Sequence, residues 1–444
     1  MRKLSVLVLV TATFVGCERA SRICEGRVVG SNEVVQIDVD RVVKDALRRM
    51  DEGLPSSPLY GGIEVDTTID RRLQRKLTEI LCRNADTNDT GVGVGVILRV
   101  EDGAVLAMAD CGEDSDGIPL AVGRSYEFGS VMMPLTAAIA VEKDIVRMDT
   151  MISTKRDDER YYKLPGDGCH VWPDSMSLCD AIVRSSCVVI GKVGYDLGQE
   201  QMSEGLSAFG IGRMTKIGYA GENGGILCRK RWDRASRSRI PIGQGVAMTL
   251  MQVVRAYAIL AHGGAYVEPY VVSSLGKQGK VIYRHSQCEL RQVVSKDTAD
   301  QVLAALKKTA EEGTARRVAM AGVPVAGKTG TMQRVDIDAC CYLPGRYRAT
   351  FCGCFPAALP RYVVAVMFET KHIDGEFKHQ GGQRPVDAFS EIVSYMARSA
   401  QKDGIIMQKG GSSQMQDKKG ISRLSDSEEA ECAYFIENPI ALCR

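Results

Sequence analysis

Three observations in the sequence predict an α+β fold, with an antiparallel sheet flanked by helices. Two apolar runs, Val92 to Arg99 and Ala104 to Ala109, flank Asp102-Gly103, a pair typical of strand hairpins. A long middle stretch then shows helical periodicity, and three later apolar runs have the length and composition of strands. Strands, then helices, then strands with a closing helix are the element order of an α+β domain.

The individual elements follow from apolar spacing and from residues that start or stop them. The predicted helices are Thr67 to Cys82, Ser130 to Lys143, Leu178 to Val193, Ala247 to His262, Thr298 to Glu312 and Pro385 to Ser399. Gly263 and Gly313 directly follow two of these helices, and glycine commonly occupies the position after a helix. The later strands are predicted at Val323 to Met332, Tyr347 to Phe355 and Tyr362 to Glu369.

The first residues predict export and attachment to a membrane. A basic start, Met1-Arg2-Lys3, precedes an apolar run from Leu4 to Gly16 that is shorter than the ~20 residues needed to span a bilayer. Residues 1–16 therefore read as a signal peptide. The stretch Phe14-Val15-Gly16-Cys17 resembles the bacterial lipoprotein cleavage box, which implies lipidation of Cys17, although leucine is usual where Phe14 stands. A plain exported protein and a short uncleaved anchor are the alternatives.

Composition sets the remaining boundaries and excludes some partners. Residues 17–61 mix charge, Ser, Pro and Gly and predict a tether with one short helix near Val39 to Met50. Residues 62–400 hold the periodic segments and predict one folded domain. Residues 401–444 contain few apolar side chains and predict a disordered tail. A net charge of +2 leaves no basic surplus, so we expect no nucleic-acid partner.

Fifteen cysteines are scattered through the chain without a Cys-x-x-Cys pair. Cys352 and Cys354 alternate along a predicted strand, where small apolar side chains suit a core. Metal sites usually show tighter paired spacing, so we expect no metal and no other cofactor. Disulfides are compatible with an exported protein, but their pairing is left open by the sequence.

Three short stretches of the sequence are informative when they are taken together. They are Tyr126 to Pro134 (YEFGSVMMP) at a helix start, Ser185-Ser186-Cys187 near a helix end, and Gly327 to Thr331 (GKTGT) on a predicted strand. Singly each is a weak signal, because a serine at a helix start is usually a cap. Together their order and spacing resemble the Ser-x-x-Lys, Ser-Asp-Asn and Lys-Thr-Gly motifs of penicillin-binding proteins and serine β-lactamases.

The surrounding sequence is similar to class B penicillin-binding transpeptidases. The similar segments are Gln244-Gly245, Met248 to Gly264, Glu312 to Ala315, Phe351 to Pro356, Pro360 to Val366 and Gly381-Gly382. The resemblance extends from about Gly62 to Ala400. Class B enzymes usually carry a pedestal before this domain, and we expect this chain to lack it.

The resemblance implies a serine acyl-transferase of the bacterial cell envelope, acting on a D-Ala-D-Ala stem peptide of peptidoglycan or acylated by a β-lactam. Ser130 would be the nucleophile, with Ser185 and Lys328 beside it. Thr329, Gly330 and Thr331 would bind substrate, the threonines meeting its carboxylate. The backbone N–H groups of Ser130 and Thr331 would form the oxyanion hole.

Two positions depart from the family. Met133 stands where the family has the lysine that deprotonates the serine, and a thioether cannot take that proton. Cys187 stands where the family has asparagine, whose amide orients lysine and substrate. Cys187 reads as a buried structural thiol rather than as a new nucleophile.

Two functions from different classes remain open. The first is a weak or inactive penicillin-binding D,D-transpeptidase or carboxypeptidase, in which Lys328 acting through Ser185 is one substitute for the lost base. The second is a non-catalytic module, a pseudoenzyme that senses or binds stem peptides, β-lactams or a protein partner. A β-lactamase is a weaker third reading, because the flanking segments are similar to transpeptidases.

Overall fold

The computed structural model describes residues 23–25, 36–38, 63–86, 91–112, 118–161, 164–167, 172–217, 221–228, 230–286, 291–336, 341–371 and 380–402. The predicted signal peptide with Cys17, the predicted helix near Val39 to Met50 and the predicted tail beyond its first two residues, 401–402, lie outside these ranges. Within the described ranges, no helix combines the length and apolar character that crossing a membrane requires.

The secondary structure alternates short strands, helices and long strands along the chain. The strands are β1 (Ile23–Glu25), β2 (Gln36–Asp38), β3 (Ile63–Thr67), β4 (Val92–Arg99), β5 (Val105–Gly112), β6 (Met151–Ser153), β7 (Ser175–Ser177), β8 (Ile226–Leu227), β9 (Val246–Ala247), β10 (Val272–Lys277), β11 (Lys280–Arg284), β12 (Ala326–Asp336), β13 (Cys341–Phe355) and β14 (Tyr362–Lys371). The helices are α1 (Arg71–Asp86), α2 (Leu120–Gly123), α3 (Met133–Glu142), α4 (Leu178–Arg184), α5 (Cys187–Ala208), α6 (Ser236–Arg239), α7 (Leu250–Ala261), α8 (Lys296–Glu312) and α9 (Gln380–Lys402).

The central sheet is antiparallel and has five strands in the order β12-β13-β14-β4-β5. The predicted α+β class is therefore correct, and the hairpin around Asp102-Gly103 lies where the sequence places it. Alternate residues of β14 serve two cores, as the period of a strand requires. Val363, Ala365 and Met367 face the core that includes α3 and α7, while the residues between them face the core shared with α1 and α9.

The predicted helix from Leu178 to Val193 is wrong in one respect, because the structure divides it. α4 ends before Ser185, which adopts a left-handed conformation (φ 63°, ψ 41°), and α5 starts at Cys187. Ser186 caps α5 by accepting a hydrogen bond from the Val189 N–H at 3.3 Å. The break places the three-residue motif between two helices rather than inside one.

Side chains of α1 cover β5, the strand at one edge of the sheet. The Gln74 amide donates to the Met108 carbonyl and accepts from the Met108 N–H, both at 2.9 Å. A disulfide between Cys82 and Cys111 also joins α1 to β5. The predicted start of this helix at Thr67 is three to four residues too early, since Thr67 ends β3 and Asp70 caps α1 through the Arg72 and Leu73 N–H groups.

Candidate active site

The Ser130 side chain lies on a 3₁₀ turn, Gly129–Met132, that leads directly into α3. The residue is half-buried, and its hydroxyl has no hydrogen-bond partner in the described ranges. Tyr257 from α7 donates to the Val131 carbonyl at 3.0 Å and fixes the turn from behind. The nucleophile predicted from the sequence is thus accessible on a turn held by buried contacts.

The turn packs closely against strand β12. A Cβ atom at Gly330 would lie 2.3 Å from the Phe128 carbonyl oxygen, and one at Gly129 would lie 2.9 Å from the Thr331 carbonyl oxygen. Only glycine fits at such separations between backbone segments. The two glycines therefore bring the Lys-Thr-Gly strand alongside Ser130.

Lys328 on β12 is completely buried and lies between the sheet and the α4–α5 break. Its ammonium donates to Ser185 Oγ at 2.9 Å and to the Thr329 carbonyl at 3.2 Å. Burial lowers the pKa of Lys328 to about 7, since desolvation disfavours the charged form, although the nearby Cys187 acts in the opposite direction. Near neutral pH the amine is therefore divided between its charged and neutral forms.

Met133 fills the place one helical turn after Ser130 and is fully buried. Its thioether sulfur accepts a long contact of 3.6 Å from the Ser185 hydroxyl. Ser185 therefore accepts from an amine on one side and donates to a weak acceptor on the other. The methionine keeps the contact to Ser185, but it brings no basic group to it.

Cys187 is the first residue of α5 and is buried among core side chains. Its N–H donates to an Asp167 carboxylate oxygen, and the Val188 N–H donates to the same oxygen at 3.2 Å. The second oxygen of Asp167 accepts from the Ser186 hydroxyl at 2.6 Å. Asp167 thus satisfies the open N–H groups at the start of α5 and holds the motif in place.

The substrate-binding residues predicted from the sequence lie on β12, an edge strand of the sheet. Thr331 is exposed and Thr329 is half-buried. Thr329 shares a hydrogen bond of 2.8 Å with Thr314 from the segment after α8. An edge strand with two hydroxyl side chains can accept an extended peptide that ends in a carboxylate.

Glu127 is a buried carboxylate three residues before Ser130, with 7% of its surface exposed. It accepts from the Gly245 N–H at 2.6 Å and from the Tyr342 hydroxyl at 3.0 Å. Burial raises the pKa of Glu127, while these two donors and the Arg348 charge lower it less strongly.

The structure places Ser185 in contact with both Lys328 and Met133, and it lays the Ser130 turn against Gly330 and Thr331. The catalytic and binding roles of these residues remain predictions. Sequence reasoning assigned no role to Asp167, Thr314 or Glu127. Glu127 and Thr314 stand inside motifs that were recognised, whereas Asp167 is distant from its partners and has no local signal. Among the described residues, no cluster of His, Cys, Asp or Glu has the arrangement of a metal site.

Comparison with known proteins gives concordant matches. Residues 93–394 match the family model described as the penicillin-binding protein transpeptidase domain. The chain is 28% identical over 357 residues to the penicillin-binding protein PbpB of Mycolicibacterium smegmatis, covering 76% of this chain and 54% of that protein. It is 25% identical over 379 residues to the peptidoglycan D,D-transpeptidase FtsI of Escherichia coli, covering 81% of this chain and 60% of that protein.

A solved structure with the same architecture is the TP domain of penicillin-binding protein 3 from Burkholderia pseudomallei. It superposes with a TM-score of 0.62 at 25% identity, covering 75% of this chain and 96% of that domain. The chain spans about half the length of the curated relatives that it matches.

Proposed function

Because the chain belongs to the penicillin-binding protein transpeptidase family, we propose that it is a penicillin-binding, D,D-transpeptidase-like protein of the cell envelope with weak or no turnover. One observation carries this proposal: the Ser185 hydroxyl meets the Met133 thioether where the reaction needs a base. The ligands of the site are a stem peptide ending in D-Ala-D-Ala and β-lactams.

The reaction would begin with attack of the Ser130 oxygen on the penultimate D-Ala carbonyl. The oxygen forms a bond to the carbonyl carbon while the serine proton passes to a base, and the terminal D-Ala leaves with a proton on its amine. An amine from a neighbouring strand, or water, then releases the acyl group. Met133 cannot receive the serine proton, and loss of a general base typically reduces rate by about 10²–10⁴-fold.

Lys328 has two roles in this proposal, and each role requires a different protonation state of its amine. Its charged form attracts the ligand carboxylate next to Thr329 and Thr331, while only its neutral form can take a proton from Ser130 through Ser185. A pKa of about 7 leaves part of the population in each form at neutral pH. This division favours retained ligand binding with slow acylation.

The alternative is a non-catalytic sensor or scaffold that binds stem peptides or β-lactams without acylation. Cys187 favours this alternative. It is buried, its N–H is bonded to Asp167, and it stands where the family has asparagine, so no amide side chain directs the substrate. The two functions differ in whether a covalent bond forms to Ser130.

Attachment to the envelope membrane belongs to the same proposal. The basic start, the apolar run from Leu4 to Gly16 and the cleavage-box resemblance at Cys17 support export followed by lipidation. The lipid would hold the protein at the membrane and place the domain in the compartment that contains peptidoglycan.

The deciding experiment incubates purified protein with a labelled penicillin and follows the intact mass. We expect an adduct that accumulates over hours rather than seconds, and none in Ser130→Ala. Complete absence of an adduct, with measurable affinity for the same penicillin, would select the sensor. Rapid stoichiometric labelling would contradict weak activity.

A further inference from the structure

Glu127, Gly245 and Tyr342 form a buried junction, which we call the carboxylate clamp. Each of its members belongs to a different part of the site: the segment before the Ser130 turn, the loop before β9, and the far end of the β12–β13 hairpin. Both oxygens of the Glu127 carboxylate are used, one for each partner.

In the described residues, the far end of the hairpin has a short ladder, and an ion pair of 3.0 Å between Arg334 and Glu369 joins it to β14. The ladder between β12 and β13 is interrupted by a bulge between Gln333 and Val335, and only the pairs Val335–Tyr342 and Asp336–Cys341 continue beyond it among the described residues. The Gln333 side chain adds one bond to the Leu343 carbonyl at 2.9 Å. A hairpin end with so short a ladder opens more readily than the sheet interior.

The other side of the clamp lies against the nucleophile. Tyr126, the residue before Glu127, exchanges backbone hydrogen bonds of 2.7 and 2.8 Å with Met248. Gly243 approaches Gly129 so closely that a Cβ atom there would lie 2.3 Å from the Gly129 carbonyl oxygen. Glu127 is thereby held in a rigid frame, and Tyr342 is its connection to the hairpin.

We infer that Glu127 is a positioning residue, whose carboxylate couples the far end of the β12–β13 hairpin to the turn that carries Ser130. The same hairpin provides Thr329 and Thr331, so its attachment sets how far these two side chains lie from Ser130. Ligand held along β12 then stabilises the attached hairpin, and the attached hairpin strengthens ligand binding by the same factor.

Because the clamp is buried, removal of a single polar atom should weaken it. Tyr342 is half-buried and its pKa is raised by burial and by the Glu127 charge. Its hydroxyl therefore stays protonated near neutral pH and donates to Glu127. Tyr342→Phe removes this donor alone and leaves the ring and the Gly245 bond.

The test measures amide hydrogen exchange of residues 331–336 and 341–347 in the full chain, without ligand and with a D-Ala-D-Ala peptide. We expect Tyr342→Phe to exchange about tenfold faster in these segments, as loss of a hydrogen bond to a charged group predicts. Tyr362→Phe, at the opposite end of the sheet, is the matched control and should leave these rates unchanged.

The affinity for the peptide separates positioning from general stability. In Tyr342→Phe the affinity should fall about fivefold while the unfolding temperature stays close to that of the natural protein. Glu127→Gln should keep most of the coupling between hairpin and turn, because the glutamine oxygen still accepts from Gly245 and the glutamine NH₂ can donate to the Tyr342 hydroxyl. Glu127→Leu should lose it.

Equal exchange rates in Tyr342→Phe and Tyr362→Phe would overturn the clamp. The affinity measurement rests on the proposed function, but the exchange measured without ligand does not. A hairpin that loosens in Tyr342→Phe, in a protein that binds no peptide, would therefore support the clamp and refute only the proposed ligand.

Discussion

Ser185 contacts both Lys328 and Met133, the two residues on which the proposed chemistry depends. Its hydroxyl accepts from the lysine at 2.9 Å and contacts the thioether at 3.6 Å. A lysine in place of Met133 would face the same hydroxyl, so the present site exchanges an amine for a thioether of similar length. The thioether fills a similar volume, but it has no basic group that could accept a proton.

Restoring both family residues should therefore restore acylation. We expect Met133→Lys with Cys187→Asn to raise the rate of penicillin labelling by about 10²-fold or more, the effect of a recovered general base. The gain in the double variant should exceed the sum of the gains in the two single variants, because lysine and amide act as a unit. Labelling kinetics by intact mass measure this.

Ser130→Ala in the double variant is the control and should abolish labelling. A double variant that unfolds with the same cooperativity as the natural protein but labels no faster would show that the pocket itself has diverged.

Lys328 predicts an unusual pH dependence for ligand binding. Its pKa is lowered from the ordinary lysine value to about 7, so protonation is lost as pH rises through that value. In this proposal the carboxylate ligand binds the charged form, and we expect affinity for a D-Ala-D-Ala peptide to be about 30-fold weaker near pH 8.5 than near pH 6. Calorimetric titration across this range measures it.

Lys328→Met keeps the buried volume and should bind weakly at every pH. Lys192→Met removes another buried lysine, which donates to the Ser153 carbonyl outside the site, and should keep the natural pH dependence. A pH profile of Lys328→Met identical to that of the natural protein would exclude Lys328 as the titrating group.

At the scale of elements, the predictable parts are those with local signals. The β4–β5 hairpin was predicted closely because Asp102-Gly103 marks its turn. The α4–α5 break was missed because the apolar period continues through Ser185, while the left-handed backbone there and the Asp167 contact to the next helix have no local signal. Strands β1 to β3 and β6 to β11 were also missed, since most of them are too short to show a pattern or pair with strands that are distant in sequence.

The contact between β12 and the Ser130 turn gives an element-scale prediction. Gly330→Ala would place a methyl group 2.3 Å from the Phe128 carbonyl oxygen, so the strand or the turn has to shift. We expect a loss of about 1–3 kcal/mol in the free energy of unfolding and a strong loss of peptide affinity. Urea unfolding and binding assays measure the two effects.

Gly91→Ala is the matched control, because a Cβ atom there meets nothing within 4 Å. If Gly330→Ala matched Gly91→Ala in both stability and affinity, the close approach of strand and turn would be contradicted.

At the scale of the whole molecule, the family match shows the transpeptidase domain, whereas the anchor at the N-terminus is a prediction from the sequence. The anchor proposal predicts that the mature protein begins at a lipid-modified Cys17 and partitions with membranes. Mass spectrometry of the purified N-terminus and membrane fractionation measure this. We expect Cys17→Ser to abolish both, and Cys24→Ser, the next cysteine along, to leave them intact.

An intact Met1, or an unmodified N-terminus at another residue, would contradict lipidation. The domain boundaries at residues 62 and 400 remain predictions, whereas the fold between them was recognisable from the combined motifs.

The two edges of the central sheet differ in their capacity to pair with another strand. At β5 the Gln74 amide occupies both the N–H and the C=O of Met108. At β12 the edge lies beside the site. Exposed sheet edges are where folded proteins stick to one another and aggregate. Because a side chain closes β5, β12 is the one of these two edges that is open to a further strand, so the surface proposed to bind a stem peptide is also a surface where a second copy of the chain can pair.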